Sequence, residues 1–231
     1  AVSVGGNAQG KFIAASGDRV AWVGHYVGEL DVGDGPLPAT PPTSDFGFVA
    51  LFEGDTLQFV RALTDANVQA ERVVLHEDTL LVSGTYREGS LFGVPNAGGV
   101  DGFATALDVS GATRWTQNYG SADGDDAAGC AISGGRSFIV GHVSGDVDFG
   151  GATTGPPRGE SDGYVHAVES NGLTAFALRF GGPGVDRLDR ILLVGDELVV
   201  AGTFENDALF GELSVSSRGG RDLIVAGLSR D

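Results

Sequence analysis

The 231-residue chain is 42% hydrophobic and 19% charged and carries 39 glycines and 8 prolines, too many turn formers for a helical protein and too many apolar residues for a disordered one. Its formal charge of -17 comes from 31 acidic residues against 14 basic ones, with Lys11 the only lysine, so no basic surface can form for phosphate and nucleic acid is excluded as a partner. No apolar run approaches the ~18 residues of a membrane span, and Cys130, as the single cysteine, rules out an intrachain disulfide and reads as a small buried hydrophobe.

Taken along the chain, strand-like apolar runs separated by Gly, Asp or Asn turns recur with one period. Residues 22–33, 82–93, 139–150 and 200–211 align without a gap, each containing a Gly, eight residues and then a second Gly. The leading glycines Gly24, Gly84, Gly141 and Gly202 follow one another at spacings of 60, 57 and 61. Beyond each segment a turn-rich loop ends in Asp45, Asp101, Asp162 or Asp222, which opens a further apolar run. Each unit therefore has four strands, shown in the second by residues 72–75, 80–86, 103–107 and 113–116. Inner runs such as 191–194 and 198–201 are apolar throughout, which predicts burial on both faces.

The fourth unit stops at Asp231 after its third strand, and residues 1–5 match the missing fourth. The expected fold is an all-β, four-bladed β-propeller with four antiparallel strands per blade, closed by the N-terminal strand so that no sheet edge is left open. Its blades span about 11–64, 70–119, 129–181, and 190–231 with 1–5. Units one and three share Val-Gly-His, and two and four share Gly-Thr and Leu-Phe-Gly, as duplication of a two-blade unit would leave them. The chain opens on Ala1 and contains no Met, as expected of a processed chain or of a domain cut from a larger protein.

Residues 115–132 (Trp-Thr-Gln-Asn-Tyr-Gly onward), 138–150 (Phe-Ile-Val-Gly-His onward) and 161–168 (Ser-Asp-Gly-Tyr-Val-His onward) resemble the bacterial β-propeller repeats abbreviated SBBP, and the likeness runs over essentially the whole chain. The resemblance implies a bacterial protein that is secreted or attached to the cell surface, and it brings no catalytic residues with it. This chain departs from the family in its smaller blade number and in lacking Asn-Val-Tyr at the second strand.

Several motifs fall short of a chemistry. Residues 5–11 have the Gly-x4-Gly-Lys spacing of a phosphate loop, but Phe12 replaces the magnesium-binding Ser or Thr and opens a strand. Residues 181–189 fit one copy of a calcium β-roll repeat, a site that needs a tandem array. Asp123, Asp125 and Asp126 offer hard oxygen ligands for calcium without the Gly and distal Glu of an EF-hand loop. The once-per-blade Asp45, Asp101, Asp162 and Asp222 are expected to be structural, each accepting backbone N–H groups before its strand. His25 and His142 hold matching places, where units two and four have Thr85 and Thr203. Nucleophile elbows, zinc-binding His-Glu-x-x-His helices and Cys-x-x-Cys pairs are missing.

The loops expected to face a ligand are 5–11, 64–71, 120–129 and 181–190, together with 33–44, 94–100, 150–161 and 211–221. The first set carries Asp65, Asp123, Asp125, Asp126, Asp186 and Asp189 toward the expected channel. The functional expectation is a non-enzymatic extracellular binding or scaffold module whose acidic face takes a cation such as calcium, a glycan or a basic protein. A carbohydrate-active enzyme using paired carboxylates is the alternative, and a structural spacer is a third reading.

Overall fold

Alternating and continuous apolar runs give strands and nothing else: all regular structure among the described residues is β. The computed structural model describes residues 5–64 and 66–229. The chain divides into two compact units, Ala1–Asn96 with Phe103–Asn118, and Ala97–Gly102 with Tyr119–Asp231.

The first unit is built on two sheets. The first sheet runs β1 (Gly5–Ser16), β2 (Arg19–Asp31), β3 (Phe46–Glu53), β4 (Thr56–Leu63) in chain order. The second draws on β5 (Asn67–His76), β6 (Thr79–Arg87), β9 (Asp101–Asp108) and β10 (Thr113–Tyr119), ordered β10-β9-β6-β5, with a small ribbon of β7 (Ser90–Leu91) and β8 (Val94–Pro95) beside it in sequence. In the second unit, the third sheet runs β11 (Gly129–Ser133), β12 (Arg136–Val143), β13 (Asp162–Val168), β14 (Thr174–Phe180). The fourth, among the described residues, is made of β15 (Arg187–Val194), β16 (Glu197–Phe210) and β17 (Leu213–Ser229).

Two-residue turns join the first hairpin of each main sheet, closing the pairs Ser16–Arg19, His76–Thr79, Ser133–Arg136 and Val194–Glu197. The leading turn residue is left-handed every time: Gly17 (φ 63°), Gly134 (59°) and Gly195 (62°), but Glu77 (51°) in the second sheet. A side chain in that region is strained, which is why glycine holds the other three places.

Sheets pack in pairs within each unit. Ala21, Val23, Val49 and Leu51 of the first sheet share one core with Val73, Leu80, Val82 and Phe103 of the second. Phe138, Val140, Val165 and Ala167 of the third share another with Ile191, Leu198 and Val200 of the fourth. Counted back from the repeat glycine, the first and third sheets contribute the residues one and three before it (Val23 and Ala21; Val140 and Phe138). The second and fourth contribute those two and four before it (Val82 and Leu80; Val200 and Leu198). Because strand side chains alternate faces, this is a rule about which face meets which.

The repeat glycines have one physical cause. In three sheets the opposing strand bulges, with register shifts at Gly10/Phe12, Ala70/Arg72 and Leu188/Arg190, directly opposite Gly24, Gly84 and Gly202. A Cβ on Gly24, Gly84, Gly141 or Gly202 would overlap the backbone carbonyl of Gln9, Gln69, Asp126 or Arg187 respectively. No side chain fits at these four points.

The closed four-bladed propeller expected from the repeats is not what the chain forms. Among the described residues the strands lie in five separate sheets of two to four strands, none closed on itself, and three strands make up the fourth main sheet. Residues 1–4 of the expected closing strand lie outside the described residues, and Gly5 pairs with Asp31 in the first sheet. The reason is local: no turn interrupts residues 5–16, because register shifts at Gly6 and at Lys11 let one strand absorb the glycines and amides that read as a loop. Residues 211–221, also read as a loop, are largely strand. They form the far half of the β16–β17 hairpin, with Ser217, Arg218, Gly219 and Gly220 bulging opposite Asn206.

Candidate functional site

The aspartates that recur once per repeat act on backbone. Asp101, Asp162 and Asp222 each use Oδ2 to accept the N–H of the residue four positions earlier: Ala97 at 2.6 Å, Arg158 at 2.9 Å and Arg218 at 2.7 Å. At Asp45 that earlier residue is Pro41, which has no N–H to give. Asp45 Oδ2 instead accepts Gln69 Nε2 at 3.1 Å, and its own N–H donates to Asn67 Oδ1 at 3.3 Å.

The acidic candidates are engaged in similar work. Buried Asp125 accepts the N–H groups of Ser121 (2.5 Å) and Ser144 (2.7 Å), one on each carboxylate oxygen. Asp186 repeats the pattern with Gly182 (2.7 Å) and Glu205 (3.0 Å). Burial raises both carboxyl pKa values, opposed by these N–H donors, with Asp162 and Glu205 adding to the rise at Asp186. Asp126 accepts the N–H of His142 at 2.8 Å, and His142 Nδ1 lies 3.0 Å from the same oxygen. Neighbours in sequence, Asp125 and Asp126 thus bind different backbone groups. Asp123 is exposed, Asp189 sits at the β15 bulge, and Asp65 lies outside the described residues. Among the described residues no group of three or more His, Cys, Asp or Glu side chains is placed to hold a metal ion.

Deeper in the second unit are two buried polar centres. Tyr119 Oη lies 3.0 Å from His166 Nδ1, His166 Nε2 lies 2.9 Å from Thr174 Oγ1, and Thr174 donates to the Phe149 carbonyl at 2.9 Å. Thr174 has one proton and gives it to the carbonyl, so His166 donates through Nε2 and accepts from Tyr119 through Nδ1. The ring is neutral, and burial lowers its pKa to about 4. The second centre is the ion pair of Arg179 Nη1 with Asp162 Oδ2 at 3.1 Å, with both side chains buried and Nη1 also bound to the Gly145 carbonyl at 3.0 Å.

An open, polar site lies in the first unit. Asn7, Ala8, Gln9, His25, Val27 and Asp45 line a pocket of 380 Å³. The β1–β2 register builds it, placing Asn7 opposite Val27, Ala8 opposite Tyr26 and Gln9 opposite His25. Gln9 stands where Asp126 stands beside His142, since both reach the repeat glycine with their carbonyls. His25 therefore lacks the direct carboxylate contact His142 has, and its buried Nδ1 has no hydrogen-bond partner among the described residues. Burial lowers its pKa, with Asp45 opposing, so the ring is neutral at pH 7. Sequence reading missed Asn7 and Gln9 because they lay in an apparent loop. The signal that they belong to a strand is the match of Gln9 to Gln69, each one residue before the partner of a repeat glycine.

Two amides, an imidazole and one carboxylate can donate to and accept from hydroxyl groups. They provide no activated nucleophile and no second acid. Comparison with protein-family models finds no match, and comparison with curated proteins finds none either.

Proposed function

We propose that this chain is a non-catalytic binding module of an exported bacterial protein, taking a neutral, hydroxyl-rich ligand, a glycan, in the pocket beside β1 and β2. The observation that carries the reading is the pocket's lining: Asn7, Gln9, His25 and Asp45 together with the apolar Ala8 and Val27, the mix of convergent polar groups and apolar surface that small polar ligands need. A net charge of -17 disfavours anionic polysaccharides and leaves neutral sugars. The cation reading is weakened because Asp125, Asp126 and Asp186 already satisfy backbone N–H groups. Export and bacterial origin rest on the resemblance of residues 115–132 and 138–150 to secreted repeats.

The test is a glycan array followed by calorimetry on the hits, with wild type and Gln9→Ala. The side chain of Gln9 is exposed, so its removal leaves the fold in place. Loss of a polar contact should weaken binding by about tenfold, equivalent to about 1.4 kcal/mol. Failure to bind any neutral glycan, or turnover of a glycoside abolished by Asp45→Asn, would overturn the proposal.

A further inference from the structure

We infer that the outer face of the fourth sheet is an association surface for a second copy of this chain, which covers it with the outer face of its own first sheet. Val200 and Leu198 of β16 turn toward the core. The alternating residues Ala201 and Val199 lie on the other face, on rungs with Arg190 and Leu192 of β15 and with Val225 and Gly227 of β17. That face is apolar and open: Leu223 is 83% exposed, Val225 70%, Leu192 65% and Val194 58%. Single exposed aliphatics are ordinary, but four on one sheet face beside an edge strand are a contiguous apolar patch of the kind that marks an interface.

The molecule's own packing rule names the occupant. The face one and three residues before a repeat glycine is, in the first and third sheets, one half of a sheet-on-sheet interface. The other half is each time the face two and four residues before the next repeat glycine. In the fourth sheet the first kind of face, Ala201 and Val199, is the one left open. The second kind is found in the first sheet at Trp22 and Val20, whose rung partners on β1 are Ile13 and Ala15, with Ile13 64% exposed. Trp22 also packs edge-on to Phe48 of its own sheet, so the open part of that face is at Ile13, and both halves of an interface the chain already builds twice are thus present on the same chain. Joined between copies they make a heterologous, head-to-tail contact. Because each copy carries the same large negative charge, added salt should strengthen the contact by screening repulsion.

Analytical ultracentrifugation over a concentration series up to about 100 µM chain tests this, since association obeys mass action. Wild type should gain mass with concentration, and more so in salt. Leu223→Glu and Ile13→Glu should each remain single chains while keeping the β-sheet circular dichroism of wild type, and Val225→Gln provides a milder second change on the same face. Mixed in equal amounts, Leu223→Glu and Ile13→Glu should give a two-chain species and nothing larger, because each retains one intact face. A wild type that stays a single chain, an Ile13→Glu protein that associates as wild type does, or variants that fail to pair on mixing would each overturn the inference.

Discussion

Gly84 lies directly beneath the backbone carbonyl of Gln69, so close that a Cβ added to it would overlap that oxygen. Its φ is not in the left-handed region, so conformational freedom is not what selects glycine here. Space is. The bulge at Ala70/Arg72 lowers the carbonyl onto the facing strand, and the same encounter recurs at Gly24, Gly141 and Gly202.

Gly84→Ala should therefore destabilise the protein by roughly 3 kcal/mol, the upper range for overpacking against rigid backbone. Gly124 provides the contrast, because nothing lies within 4 Å of a Cβ built there. Gly124→Ala should change stability by less than about 0.5 kcal/mol. Urea titrations of the two proteins settle the matter, and a Gly84→Ala loss no larger than that of Gly124→Ala would show that the strands separate freely.

The repeat glycines were legible in the sequence, since a period of about 60 residues is visible without knowing its cause. The strands between them were legible for the same reason. Closure was not. Whether residues 5–11 form a loop or a bulged strand depends on Gly24 and Gly10 meeting across β1 and β2, a long-range pairing that composition does not encode. The acidic residues are ambiguous in another way: a carboxylate facing a ligand and one bound to the N–H four residues back look alike in one dimension. Pro41 before Asp45 was the visible exception, and Asp45 is one of the residues that line the pocket.

The first hairpin of the second sheet carries an avoidable strain. Glu77 adopts φ 51° at the place where the other sheets have Gly17, Gly134 and Gly195. Glu77→Gly should stabilise the chain, and Gly17→Ala, which meets no atom within 4 Å, should destabilise it, each by about 1 kcal/mol. Opposite signs in thermal or urea unfolding are required; a destabilised Glu77→Gly protein would show that contacts of the glutamate outweigh the strain.

The Arg179–Asp162 pair sits where water cannot compensate a lost partner. Removing one member leaves a buried charge, so Arg179→Met and Asp162→Asn should each cost about 4 kcal/mol. Because Asp162 also accepts the Arg158 N–H, the asparagine keeps an acceptor there. The double variant should lose less than the sum of the singles, and strict additivity in the cycle would mean the two charges do not interact.

His166 should make stability depend on pH. Its folded pKa of about 4 lies below the unfolded value near 6.5, so in that interval the unfolded chain binds the proton and the folded one does not. Stability contributed by the neutral ring is fully present above about pH 6.5, drains away as the pH falls to about 4, and changes no further below that. The total is about 3 kcal/mol, because each pH unit between the two values contributes about 1.4 kcal/mol. His166→Gln removes the titration while leaving hydrogen-bonding groups beside Tyr119 and Thr174. Between pH 7.5 and 4, wild type should lose about 3 kcal/mol more stability than the variant does. Parallel stability curves for the two proteins would show that the imidazole charges in place, and that the Tyr119–His166–Thr174 chain opens to water before it does.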